Sequence, residues 1–558
     1  MKSFGRSIVV PVALLFALSA NAQENQKQSP PEQTPPVQNP PPQKRPPLGG
    51  KYDKGAEQGR QQWVDGQLKQ FRQNSKQYMN QNPVKYAQNG KEVQDKGRVF
   101  SQGSQTDRQY VDSKYQWRQS RFGKGGKLGG KPPESINPFS EIQPNDRAQW
   151  LAQSENLITN LREMDNLGLR RGQINKTPWS GDYWPFYQGA IAARHFDPQY
   201  PLEGQEYLRK LDYANQNHFL DIFNTGDQAK INQLSAAEKY DLLTGDSNAG
   251  LTNHVWSEGK RIYEQHGGNM ERWMGYCHGW APASYMLARP SRALEVTSFD
   301  GNRKVKFYPA ELKGLASFLW AVSGFESRFI GGRCNAKKPE TDEVGRVLDP
   351  NCVDTNSGTW HLSIVNQVGQ HNKPFIMDAT YDYEVWNQPV VSYDYVYFNP
   401  QTYSYANSLR EAAVSRDQFS NDKFSRYRSS RTAAVAGVAM RVTYLVETSV
   451  NDNETDSPER DLVRSVQYLY DLELDQTGNI LGGEWYNNNH PDFLWTPMQN
   501  ARAMAQEDQT LIPGDWDGQA TLPLSWKRAA QQASGRGEVL ANIVEKLIEG
   551  AANQAPAR

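Results

Sequence analysis

Hydrophobic residues recur at helical spacing between positions 145 and 170: Trp150, Leu151, Leu157, Leu161, Met164 and Leu167. Further on, Leu234-Ser235-Ala236-Ala237-Glu238-Lys239 puts Ser at an N-cap position with Glu three residues later, the reciprocal pair that starts a helix. Alternation takes over at Val305–Tyr308, and Pro309–Ala321 turns helical again. From Thr359 onward the pattern predicts strands: Trp360–Val365, Phe375–Asp378, Val390–Phe398, then 436–448 and 464–475. No repeat of fixed period is present. The pattern predicts one α+β body, with helices in the first half and an antiparallel sheet in the second.

The first 135 residues break this pattern. Lys2 and Arg6 precede an apolar run, Ile8–Leu18, and Ala20-Asn21-Ala22 makes a small-residue cleavage site, so residues 1–22 read as a signal peptide. A short membrane anchor is the alternative, but the run is shorter than a bilayer crossing needs. No cysteine follows the cleavage site, which excludes a lipoprotein. The mature chain is expected outside the cell or in a periplasm, in an oxidising compartment. Pro30–Pro47 holds nine prolines in 18 residues, a polyproline II composition. Residues 23–135 carry 20 Lys and Arg against 10 Asp and Glu, within a chain of zero net charge. A basic, disordered tail is therefore expected over 23–135, either a solvated linker or a pro-segment or self-binding arm. It precedes a folded body at 136–525 and a C-terminal helix and tail at 526–558. Zero net charge disfavours a nucleic-acid partner bound by bulk positive charge. No later run approaches 18 apolar residues, so no membrane span is expected.

Three cysteines are too few for a disulfide-dense scaffold or a four-cysteine zinc site. Cys334 and Cys352 flank a polar loop and read as a disulfide in an oxidising compartment. Cys277 is then the odd thiol. It lies in Trp273-Met274-Gly275-Tyr276-Cys277-His278-Gly279-Trp280-Ala281-Pro282-Ala283, after a turn signal at Gly267-Gly268 and before a run of small and apolar residues. That suits a helix starting near the cysteine, with Pro282 in its first turn. The helix dipole then favours the thiolate; a buried structural cysteine is the alternative. A nucleophilic thiol needs a base. His361 sits in an alternating segment, and Phe375–Asp378 follows a polar connection. If that connection turns between Gly369 and Gln370, His361 and Asp378 face each other with Cβ atoms about 4.5–5.5 Å apart, the relation an orienting carboxylate needs. A His–Asp pair without a catalytic role remains the alternative.

The order Cys277, His361, Asp378 resembles that of transglutaminase-like and papain-like cysteine enzymes. A closer resemblance follows: Val385-Trp386-Asn387-Gln388-Pro389-Val390 is identical to the start of the peptide epitope of the oomycete cell-wall transglutaminase elicitors, with departure after Val390. Pro178-Trp179-Ser180, Tyr183-Trp184-Pro185, Cys277-His278-Gly279-Trp280, Gly482-Gly483-Glu484-Trp485 and His490-Pro491-Asp492-Phe493-Leu494-Trp495 resemble that family as well, over about residues 150 to 500. The resemblance implies a papain/transglutaminase-like core and a protein-glutamine γ-glutamyltransferase. Cys277 would attack a glutamine γ-carboxamide, His361 would serve as base and Asp378 would orient it. The thioester would pass to lysine or to water. The oxyanion would take the Cys277 backbone N–H and an indole, Trp256 or Trp273; core packing is the plainer reading of either. Partners would be proteins with accessible Gln and Lys, including the tail, which holds 21 Gln and 13 Lys. A cysteine peptidase or glutamine deamidase would use the same three groups, and a non-catalytic interaction protein is the other class. No cofactor is required. Calcium stays open through the family and through Asp471, Glu473 and Asp475, which have calcium-loop spacing but lack the Gly and Glu that complete the loop. His490 beside Asp492 reads as a core histidine rather than a metal ligand.

Overall fold

The computed structural model describes residues 54–93, 140–152, 156–203, 206–332, 339–349, 352, 354–380 and 384–552. Helices of two turns or more are α1 (Lys54–Gln73), α2 (Tyr207–Gln216), α3 (Ala236–Thr244), α4 (Gly250–Gln265), α5 (Cys277–Met286), α6 (Pro309–Val322), α7 (Ser357–Ile364), α8 (Leu524–Gly535) and α9 (Ala541–Ala552). The strands begin with β1 (Lys85–Ala87), β2 (Glu92–Val93), β3 (Arg171–Gln173), β4 (Leu294–Thr297), β5 (Lys304–Phe307), β6 (Ser327–Gly331) and β7 (Phe375–Asp378). They continue with β8 (Asn387–Asn399), β9 (Ser404–Ala406), β10 (Val414–Ser415), β11 (Ala434–Val446), β12 (Leu462–Leu474), β13 (Ile480–Gly482) and β14 (Phe493–Pro497).

Twelve strands form one antiparallel sheet whose main path is β2-β1-β12-β11-β8-β7-β14-β6, and β4 with β5 makes a separate hairpin. Its centre is β11 paired with β12 along thirteen residues, from Ala434↔Leu474 to Val446↔Leu462. Val435 to Met440 are all buried, the continuous run of a strand covered on both faces. Alternate residues feed opposite sides. Val438, Met440 and Val442 join the large core shared with the helices, while Ala439 joins a smaller cluster with Val64, Leu68 and Phe71 of α1.

Helix signals with a cap held. Ser235 and Glu238 form the reciprocal capping box of α3, and Glu311 bonds back to the Tyr308 N–H at the start of α6. The strands expected at 375–378, 390–398, 436–448 and 464–475 are β7, β8, β11 and β12. The helical pattern at 145–170 is realised only as two short helices, Ala148–Ala152 and Leu161–Asn166, before β3.

Two expectations are corrected. Trp360–Val365 is not a strand: residues 357–364 form α7, capped by Asn356 accepting from the Gly358 N–H at 2.8 Å, and Val365–Gln370 continues it as a π-helical turn. Every residue of α7 is buried, so no polar face reveals a helical period. The tail is not unpacked throughout. Over 54–93 it folds as α1 and the β1–β2 hairpin, and β1 pairs with β12. Arg60 pairs with Asp394 at 3.0 Å, and Val64, Leu68, Phe71, Tyr78 and Met79 are buried against Phe398, Phe424 and Tyr486. The expectations for residues 1–53, including the signal peptide, and for 94–139 lie outside the described residues.

Candidate active site around Cys277

Cys277 is the first residue of α5. The chain before it is pinned: the Tyr276 N–H donates to the Tyr183 carbonyl at 2.6 Å, and the Tyr276 hydroxyl to Glu258 at 2.8 Å. Two glycines of the same stretch permit the packing. A Cβ on Gly275 would collide with the Tyr183 carbonyl, and one on Gly279 with the Ser317 carbonyl of α6. Trp280 donates its indole N–H to the Trp179 carbonyl at 3.2 Å. Pro282 is the sixth residue of α5, beyond the first turn where it was expected; it lacks the N–H that would reach the His278 carbonyl.

From the sheet side, the thiol donates to the Val385 carbonyl at 3.5 Å and accepts from Asn387 Nδ2 at 3.5 Å. Asn387 is buried and opens β8. Its Oδ1 accepts from the Trp495 indole N–H at 2.8 Å, from β14. An indole N–H can only donate, so Trp495 fixes which end of the amide faces the sulfur. Asp378, at the end of β7, is the cross-strand partner of Asn387. Its Oδ1 accepts from the Trp386 N–H at 3.0 Å, the Thr380 N–H at 3.2 Å and the Thr380 hydroxyl at 2.8 Å, which ties Thr380 and Trp386 to Asp378 next to the Val385 carbonyl that meets the thiol. Lys85 of β1 reaches the same segment, donating to the Ala379 carbonyl at 2.9 Å.

Burial pushes the Cys277 thiol up to about 11, against the expectation that the helix dipole favours thiolate. The side chain and backbone N–H of Asn387 pull it down, while the charges of Glu447 and Asp378 push it further up. The resting group at neutral pH is therefore a thiol in a negative field.

The structure does not bring His361 to this site. It lies in α7, fully buried, with Nδ1 2.8 Å from the Tyr470 hydroxyl and its ring edge-on to Tyr395 at 4.9 Å. Burial alone pulls its imidazolium down to about 3. The proposed His361–Asp378 register fails because His361 is helical and Asp378 faces Asn387 instead. Of the indoles expected at the oxyanion, Trp273 donates to Glu271 and Trp256 packs on Tyr207 at 5.6 Å. The side chains that reach the thiol from the sheet are Asn387 and, behind it, Trp495. Both lie in stretches that carried the family resemblance, but chain order directed attention to histidine instead.

Cys277 is a free, buried thiol. Cys352 is buried and is not free, and Cys334 lies outside the described residues. The three carboxylates at calcium-loop spacing lie in a strand and the turn after it, and each is engaged within the chain. Arg428 grips both oxygens of Asp471 at 2.6 Å, Glu473 accepts from the Ser429 N–H at 3.0 Å, and Asp475 closes a turn on Thr477 and Asn479. His490 stacks on Trp485 at 4.4 Å, and burial pulls it down to about 4.

Among curated proteins none matches this chain. The GP42 transglutaminase from Phytophthora sojae aligns with 61% of this chain and 86% of its own, at 22% identity and a TM-score of 0.42. The family profile described as transglutaminase elicitor matches residues 152–511, a span that includes Cys277, Asp378, Asn387 and Trp495 and leaves out α1 and β1. The chain belongs to the transglutaminase elicitor family.

Proposed function

We propose that this protein is a secreted protein-glutamine γ-glutamyltransferase. One observation carries the reading: within the family match, a free thiol opens a helix, an oriented amide donates to it, and two carboxylates act on it. Cys277 Sγ adds to the γ-carbonyl of a protein glutamine. Asp378 receives the thiol proton and passes it to the departing amine, so ammonia leaves and a thioester remains. A lysine amine then adds to the thioester and loses its proton to the same carboxylate, which returns it to sulfur. The negative field of Asp378 and Glu447 draws a lysine side chain in as its ammonium, which releases one proton to solvent before the neutral amine attacks; this supports transfer to lysine over hydrolysis. Secretion rests on the signal peptide of residues 1–22, and a Cys334–Cys352 disulfide fits that compartment.

The test incubates the purified protein with a glutamine peptide and a fluorescent primary amine. Covalent labelling is expected, with complete loss in Cys277→Ala and a loss of about 10²–10⁴-fold in Asp378→Asn, the usual range for an acid–base group. Labelling that survives Cys277→Ala overturns the reading. A non-catalytic interaction protein is the second reading, favoured by the burial of Cys277 and by the placement of His361 against Tyr470. It predicts no labelling by the wild-type protein.

A further inference from the structure

The buried amide of Asn387 spends its NH2 on a poor acceptor. A neutral thiol sulfur at 3.5 Å accepts weakly, whereas the other end of the same amide makes a full hydrogen bond to Trp495 at 2.8 Å. Nδ2 has two hydrogens, and Sγ is the acceptor the structure places on it. A buried donor poorly satisfied at rest gains most when a stronger acceptor forms beside it. Two such acceptors arise if Cys277 reacts: the thiolate, and the carbonyl oxygen of a group to which sulfur has added. Interactions that strengthen only then are the ones that accelerate a reaction.

We propose that Asn387 is a catalytic residue whose side-chain amide donates to the oxyanion formed on Cys277, and that Trp495 is the positioning residue that aims it. The proposal rests on the nucleophile reading above. As the Sγ–C bond forms, the carbonyl electron pair moves onto oxygen. It returns as the C–N bond breaks and ammonia departs. The Asn387 amide keeps its protons throughout. The donor is thus an amide from the start of β8, beside Asp378, and neither Trp256 nor Trp273. Packing backs the indole: Trp495 stacks on Phe325 at 6.4 Å, and Phe325 meets Trp320 of α6 in a tilted contact at 4.8 Å.

The test uses the full-length protein with Asn387→Ala, Asn387→Asp and Trp495→Phe. Two readouts are followed: kcat and KM for amine incorporation, and the rate of Cys277 alkylation by iodoacetamide as a function of pH. Removing one oxyanion donor costs about 10²–10³-fold in kcat. That loss is expected in Asn387→Ala, with the KM for the glutamine donor little changed and the alkylation profile moved to higher pH. Trp495→Phe keeps the ring and removes the N–H. It should lower kcat by about tenfold in the wild-type background and by nothing further in Asn387→Ala. If Asn387→Ala does not fold, Asn387→Asp, which keeps the shape, loses the donors and adds a charge to the same negative field, should lose at least as much. Unchanged kcat and an unchanged alkylation profile overturn the proposal. If the wild-type protein incorporates no amine, the transferase reading fails, and the alkylation profile alone decides the role of Asn387.

Discussion

His361 and Asn387 show how little residue type says about role until the neighbours are known. His361 has the chemistry of a base, yet its contacts are with Tyr470 and Tyr395 and it is held neutral by burial. Its folded pKa, near 3, lies below the unfolded value of about 6.5. The unfolded state therefore binds more protons in that window. The stability contributed by neutral His361 is present above about pH 6.5 and is lost as pH falls toward 3. His361→Phe keeps a ring and leaves Tyr470 without this partner. A cost of about 1–3 kcal/mol is expected at pH 7.5. Between pH 6.5 and 4 the variant should lose stability less steeply, by about 1.4 kcal/mol per pH unit. Urea unfolding at several pH values measures both. Amine incorporation per folded molecule should persist; its loss with the fold intact would return His361 to the catalytic machinery.

At the scale of elements, β11 and β12 were legible because β-branched and aromatic residues recur along them: Val435, Val438, Val442, Thr443, Tyr444 and Val446 in one, Val463, Val466, Tyr468 and Tyr470 in the other. Helix α7 was not, because Trp360, Leu362 and Ile364 alternate by coincidence in a helix buried on every side. The arm shows the converse. Val64, Leu68 and Phe71 are spaced for one helical face, but the Gln- and Lys-rich composition around them reads as unpacked chain. Tertiary contact decides the outcome: these side chains cover the sheet face around Phe398 and Leu469, and β1 extends the sheet beyond β12. A chain beginning at Ser135 loses Val64, Leu68, Phe71, Tyr78 and Met79 from that cluster. At about 1.5–3 kcal/mol for each large apolar side chain, its unfolding midpoint in urea should fall well below that of the full chain. It should also lose amine incorporation, since Lys85 no longer holds the Ala379 carbonyl. An unchanged midpoint would mean that the arm does not contribute to the folded core.

Across the whole molecule, charge and thiol state are set by what is buried together. Arg428 lies fully buried between Asp422 and Asp471, at 3.1 and 2.6 Å. Such a group holds only as a set, because removing one partner strands the others. The cysteines divide in the same way. Cys277 is free and buried beneath Val385, and Cys352 is not free. Peptide mapping under non-reducing conditions should recover Cys334 linked to Cys352 and Cys277 as a single thiol. A bridge containing Cys277 would remove the nucleophile and the transferase reading with it.

The sequence by itself determined the α+β body, the long central strands, the capped helices, the odd thiol and the family. Each of these is a local pattern or a composition, and local physics is written in neighbouring residues. Only the tertiary structure decided which groups meet the thiol. Asn387, Asp378 and Trp495 lie 101 to 218 positions from Cys277 along the chain, and strand register and helix packing bring them together. A one-residue shift of register or one helix read as a strand moves a side chain to the opposite face, so no spacing along the chain distinguishes the donor at Asn387 from the buried histidine at His361.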